Sequence, residues 1–97
     1  SLVVGTHTHI PTYDERILKN GTAYQTDAGM CGDYDSVIGM DKENSLNRFL
    51  KKSSTKHFPA IGDATLCGVI VECDIQTGLA KNIESYVFGD QLKKYLR

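Results

Sequence analysis

The sequence has no excess of charge of either sign. Eleven Lys and Arg stand against 12 Asp and Glu in 97 residues, a net charge of −1 with neutral histidines. Such a balance offers no basic field to neutralise phosphates, so no nucleic-acid polymer is expected as a partner. No apolar run approaches the roughly 20 residues of a membrane span, and no basic-then-apolar leader opens the chain. No membrane partner is expected, and the chain reads as soluble and cytoplasmic. The cysteines are few and odd in number, Cys31, Cys67 and Cys73, without C-x-x-C spacing. That excludes a disulfide framework and a zinc ribbon. On one strand Cys67 and Cys73 would lie about 20 Å apart, too far to pair. All three are expected as reduced, small core residues. Repeats, low-complexity stretches and linkers are absent, and the length suits one domain with a single modest core, burying about two thirds of the unfolded surface. The chain opens on Ser1, straight into an apolar segment, so it is expected to be a piece of a larger protein.

What is present is rich in strands. "SLVV" is continuously apolar and ends β-branched, which predicts a strand buried on both faces, in a mixed or parallel sheet, with Gly5 ending it. "ERIL" and "TAYQTD" read as a hairpin whose turn is supplied by Asn20 and Gly21. "NGT" also matches a glycosylation acceptor, but the tight turn is the better reading. "AGMCGDYDSVIGM" has no clean period and reads as an ordered loop. Asp41 is the expected N-cap of a helix with Leu46, Phe49 and Leu50 on one face and Lys51 and Lys52 at its end. "HFPAI", "ATLCGVIVECDI" and, after the turn "QTG", "LAKNIESYVF" are expected strands. In the second of these Val69, Val71, Cys73 and Ile75 should share a face. "GDQLKKYLR" would form a last helix with Leu92, Tyr95 and Leu96 on one side. The fold class is α/β (α+β), rich in antiparallel strands.

The chemistry concentrates in "VVGTHTHIPT". In an extended chain His7 and His9 project to the same side, about 6.6 Å apart at the backbone. Two imidazoles so placed either share one metal or each hold one member of a pair. They follow a buried strand, the usual address for ligands in α/β sheets, with Gly5 permitting a sharp exit and Pro11 stiffening the chain beyond. The competing reading is a pair of exposed histidines in a polar loop. Two histidines also fall short of the three or four ligands a metal site needs. His57, in "STKHFP", reads as a strand-edge residue. Asp14 and Glu15 can reach back, either as a ligand or to orient a ligating histidine through its second ring N–H.

"VVGTHTHIPTYDERIL", "NGTAYQTDAGMCGDYDSVIGM" and, more loosely, "CGVIVECDIQTGLAKNI" resemble the carboxy-terminal part of the bacterial YmdB-like metallophosphoesterases of the calcineurin-like superfamily. The resemblance covers essentially all 97 residues. It implies that residues 1–97 are the carboxy-terminal segment of a metallophosphoesterase α/β sandwich, with the preceding segment absent. It further implies His7 as ligand of one metal and His9 as ligand of the other, in a centre of two divalent or mixed-valence ions (Fe, Mn or Zn). Thr6 stands between the glycine and the first histidine, as in the YmdB-like subgroup. The family's other ligands and the residue acting on the leaving group have no counterpart here, so no catalytic residue is expected in this chain.

The implied activity is phosphodiester or phosphomonoester hydrolysis, 2′,3′-cyclic nucleotides included. The implied partners are the missing amino-terminal segment or a companion chain, a phosphoester substrate, and a second copy of the protein. Around the two histidines, Gly5, Thr6, Thr8 and Asp14 are candidates for supporting or cleft-lining roles. Asp33 and Tyr34 in "GMCGDYDSVIGM" are candidates for the mouth of the cleft or a subunit contact, against a loop shaped only for packing. Cys31 is readable there as a ligand or a redox-sensitive thiol. Two alternatives stay open: a catalytically inert structural or complementing segment, and a one-metal module using His7, His9 and a carboxylate such as Asp14.

Overall fold

In the first apolar segment the β-branched run forms a strand, β1 (Leu2–Val4), which pairs in parallel with β3 (Ala23–Gln25) in the register Leu2↔Ala23, Val3↔Tyr24, Val4↔Gln25. Between them β2 (Arg16–Ile17) runs antiparallel to β3, so the sheet order is β1-β3-β2. The computed structural model describes residues 1–50, 58–89, 91 and 92. The β2–β3 turn is the expected one, widened by a residue: Leu18 N donates to Thr22 O at 2.8 Å and Gly21 N to Leu18 O at 2.9 Å. Gly21 has φ 88°, the left-handed position that such a loop reserves for glycine. The parallel pairing of β1 agrees with its apolar sequence. Its burial does not: Leu2, Val3 and Val4 are all exposed, because β1 is the edge of its sheet among the described residues.

β4 (Leu66–Cys73) and β5 (Ala80–Phe88) form a second, two-stranded sheet. A connection this short permits only an antiparallel pair. Asp74 builds the turn: its Oδ1 accepts the N–H groups of Gln76 and Thr77 at 2.8 and 2.9 Å, while Asp74 N donates to Leu79 O. Ile75, expected to continue the strand's buried face, sits in this turn and is 99% exposed. The aspartate's competition for backbone N–H groups ends β4 sooner than the apolar pattern suggests.

The chain divides into two units. The first comprises residues 1–30 with 67–87, and the second residues 31–66 with 88–97. In the first unit Ala23, Ala80 and Ile83 form a small core against which Val71 packs. Full burial of a side chain such as Ile83 contributes roughly 1.5–3 kcal/mol. Polar bonds supplement this core: Gln25, fully buried, accepts from Ser85 Oγ at 2.7 Å, and Glu15 Oε2 accepts from Ser85 N at 3.0 Å.

The second unit contains α1 (Lys42–Phe49), capped as expected by Asp41, whose Oδ2 accepts from Asn44 N at 2.9 Å. The expected apolar face is not the buried one. Leu46, Phe49 and Leu50 are exposed and Asn44 is the buried residue of the helix. Three apolar residues at helical spacing describe a face that can be covered, not one that the described residues cover. Lys51, Lys52 and His57 lie outside the described residues. "HFPAI" is no strand over its described part; Pro59 makes a single bridge with Met40. Around it the loop is laced by paired backbone bonds, Gly32 with Thr65 and Val37 with Met40. Of the expected last helix, Gln91 and Leu92 are helical and Leu92 is buried, while Tyr95 and Leu96 lie outside the described residues.

None of the three cysteines is in a disulfide. Only Cys67 is buried; Cys31 and Cys73 are exposed, so the expectation of three core thiols holds for one. Among the described residues no helix is long and apolar enough to cross a membrane. The architecture is mixed α/β, mostly strands with one described α-helix.

Candidate metal-binding site

Because β1 and β3 are parallel, their carboxyl ends lie side by side. The chain leaving β1 carries Gly5 to His9, and the chain leaving β3 carries Thr26 to Met30. These two exits meet in an open pocket of about 230 Å³ lined by Thr6, His7, His9, Asp27, Gly29 and Met30. The parallel ladder continues into it, with Gly5 N donating to Gln25 O at 3.3 Å and Ala28 N to Gly5 O at 2.9 Å. Gly5 is required by this approach: a Cβ there would collide with Thr26 O.

His7 and His9 reach the same pocket by a route other than strand alternation. The chain bends at residues 8–10, and His9 has φ 65° in the left-handed region. Histidine is among the few residues besides glycine found there with some frequency. The Thr8 hydroxyl closes the bend, donating to Ile10 O at 2.8 Å and accepting from Ile10 N at 3.3 Å. Both imidazoles belong to exposed residues, open to the pocket.

The carboxylate that organises this loop is Asp27, only 1% exposed. Its Oδ2 accepts the backbone N–H groups of His7 at 2.5 Å and Thr8 at 2.6 Å, and its Oδ1 that of Gly29 at 2.8 Å. Burial pushes this carboxyl up, but the N–H donors of Thr8, Gly29 and His7 together outweigh it and hold the pKa at about 2. Asp27 is therefore a fixed anion whose oxygens point at backbone. Gly29 turns the chain at φ 98°, where a Cβ would meet Pro11 Cδ at 2.8 Å and Cys67 Cβ at 3.0 Å.

The other candidates have different employment. Asp14 accepts from Thr12 Oγ1 at 2.6 Å, from Thr26 N at 3.0 Å and from the Thr26 hydroxyl, with Arg16 3.4 Å away. Those bonds, the Thr12 hydroxyl first, hold its carboxyl well below the usual range. It is not among the residues lining the pocket, and neither is Glu15, which bonds Ser85. Asp33 and Tyr34 lie in the second unit. There Asp33 is buried and accepts from Asp35 N at 2.9 Å, Gln91 Nε2 at 3.0 Å and Gly62 N at 3.0 Å. Tyr34 N donates to Gln91 Oε1 at 2.8 Å.

The structure thus brings together Thr6, His7 and His9 with Gly29, the first glycine of the loop "GMCGDYDSVIGM" expected at the cleft, and adds Asp27 and Met30, which the sequence reading passed over. "DAG" carried a signal for one of Asp27's bonds, since an aspartate commonly accepts the N–H two residues on. Nothing local signals the other oxygen, whose partners lie 20 and 19 residues earlier. As metal donors, two imidazoles on a fixed loop beside an open pocket suit a share of a centre. Among the described residues no group of three or more His, Cys, Asp and Glu is placed to hold an ion.

Comparison with known proteins matches the chain to part of several longer ones. The chain is 48% identical over 90 residues to the 2′,3′-cyclic-nucleotide 2′-phosphodiesterase of Bacillus subtilis (strain 168), covering 93% of this chain and 34% of that protein. The solved structure of a novel phosphatase from Mycoplasma pneumoniae superposes with a TM-score of 0.80 at 38% identity, over 91% of this chain and 32% of that one. A hypothetical protein from Thermus thermophilus gives a TM-score of 0.77 at 41% identity, over 91% and 34%. The chain spans about a third of the length of the relatives it matches. The family model described as YmdB-like protein matches residues 1–86, and the chain belongs to the YmdB-like family.

Proposed function

We propose that these residues are the carboxy-terminal part of a metal-dependent phosphoesterase, in which His7 holds one ion of a dinuclear centre and His9 the other. The observation that carries the reading is the convergence of both imidazoles on one pocket at the carboxyl ends of two parallel strands. Membership of the YmdB-like family and the likeness to a 2′,3′-cyclic-nucleotide phosphodiesterase support phosphodiesters, cyclic nucleotides included, as the substrate class. The pocket's size supports a shared site. At about 230 Å³ it is smaller than the roughly 300–1,000 Å³ of small-molecule sites, which is in keeping with one share of a larger site.

A bound metal pair supplies Lewis acidity toward phosphoryl oxygens and toward water at neutral pH. The residues present here do the holding. His7 and His9 act as neutral imidazoles, each presenting a ring nitrogen lone pair. Thr8 fixes the bend that aims His9, and Asp27 fixes the backbone of His7. Thr6 and Met30 form the adjoining wall of the pocket.

In the full-length gene product, His7→Ala or His9→Ala is expected to lower bound metal and to cut hydrolysis of an activated phosphodiester by at least about 100-fold. Changes to groups that merely orient a ligand already cost about 10–100-fold. Full activity with both histidines replaced would contradict the proposal. Residues 1–97 alone are expected to be inert, in line with the missing third donor among the described residues. Metal titration and a hydrolysis assay on the isolated segment check this: one tightly held ion per chain without hydrolysis would favour a one-metal module instead.

A further inference from the structure

We infer that Asp27 is the positioning residue of the His7–His9 site, setting metal affinity through the backbone without ligating metal itself. The inference rests on the proposed metal reading and adds to it a residue that carries no ligand role. One carboxylate oxygen grips two successive amides, those of His7 and Thr8, and the other grips Gly29 on the facing wall. The backbone of Asp27 grips the far end of the same loop. Asp27 N donates to Thr12 Oγ1 at 3.0 Å, and Asp27 O accepts from Thr12 N at 3.1 Å and from Gln25 Nε2 at 2.8 Å.

Residues 7 and 12 are thereby tied to a single buried residue. Between the ties lies one strained position, His9, held by the Thr8 hydroxyl. The loop's freedom is reduced before any ligand arrives, which is how an ordered site lowers the entropic cost of assembling donors around an ion. All three N–H groups meet an ionised acceptor, so the bonds are of the stronger, charge-assisted kind. Asparagine at this position keeps the shape but has one acceptor oxygen and presents an NH₂ donor toward N–H groups. It therefore serves either His7 and Thr8 or Gly29, not both.

The test is Mn(II) titration by calorimetry on the full-length gene product, comparing the parent with Asp27→Asn, His7→Ala and Asp33→Asn. Asp33 is the control, a buried aspartate with three hydrogen-bonded donors of its own in the other unit. Asp27→Asn is expected to weaken Mn(II) binding about 10–100-fold, the range seen when groups behind metal ligands are changed, while Asp33→Asn leaves it unchanged. Parental affinity in a folded Asp27→Asn protein, with His7→Ala still abolishing binding, overturns the positioning role alone. Mn(II) binding that survives His7→Ala overturns the metal reading beneath it. Should Asp27→Asn not fold, amide exchange by mass spectrometry on the parent decides. Without metal the peptide spanning residues 6–10 is expected to be protected already, at the His7 and Thr8 amides that Asp27 holds; fast exchange there that slows only when Mn(II) is added overturns the inference.

Discussion

Two buried aspartates, Asp27 in the first unit and Asp33 in the second, use the same device for different ends. Each accepts the N–H two residues on, Gly29 for Asp27 and Asp35 for Asp33. Each turns its other oxygen to a distant stretch of chain: Asp27 to His7 and Thr8, Asp33 to Gly62. A carboxylate closing a turn on one side and clamping remote backbone on the other is a way to order a loop with little apolar material. What differs is the cargo. The clamped stretch in the first unit carries two imidazoles beside an open pocket, whereas in the second it is a glycine whose Cβ position is filled by the Asp33 carboxylate. The device orders a loop; the residues it holds decide whether the loop does chemistry.

The comparison breaks most visibly at Asp27 itself. Asp27→Ala leaves three N–H donors without their acceptor, and urea denaturation of the full-length gene product is expected to show a loss of about 3 kcal/mol, at 1–3 kcal/mol for a buried group left unpaired. Gly29→Ala comes next, at about 2 kcal/mol, because φ 98° is unsuited to alanine and its Cβ would press on Pro11 and Cys67. The same denaturation series ranks the two.

The second unit is probed by pH. The Gln91 amide, followed by the Asp35 N–H, holds the Asp33 carboxyl below its ordinary value of 3.8, against the opposing effect of burial. A depressed folded value means that the stabilisation is fully present above 3.8 and is lost as pH falls through the lower folded value. The stability gap between the parent and Asp33→Asn is therefore expected to be flat above pH 3.8 and to close below it; a gap independent of pH would remove the charge from the account.

The smallest effect has the opposite sign. Ile38 has φ 46° in the two-residue turn between Val37 and Met40, followed by Gly39 at φ 92°. A β-branched residue is strained there and asparagine is favoured, so Ile38→Asn is expected to raise stability by roughly 0.5–1 kcal/mol in thermal unfolding.

Much of this was legible in the sequence. Asp41 as N-cap, the Asn20–Gly21 turn and the two long strands each follow from local chemistry that the folded chain retains. The rest depended on partners distant in sequence. His7 and His9 share a pocket because of a left-handed bend and not because of strand alternation, and the bend is fixed from Asp27, 20 residues away from His7. The exposed faces of β1 and α1 show the same limit, since an apolar pattern states what a surface tolerates and not which residues cover it.

The central claim is that His7 and His9 are two ligands on a loop ordered before metal binds. Anomalous diffraction from crystals of the full-length gene product grown with Mn(II) tests it most directly. The account predicts two metal peaks about 3.5–4 Å apart, one within about 2.3 Å of a His7 ring nitrogen and the other equally close to His9, with Asp27 still bonded to the His7 and Thr8 amides. Peaks elsewhere, or none within bonding distance of either histidine, would contradict it.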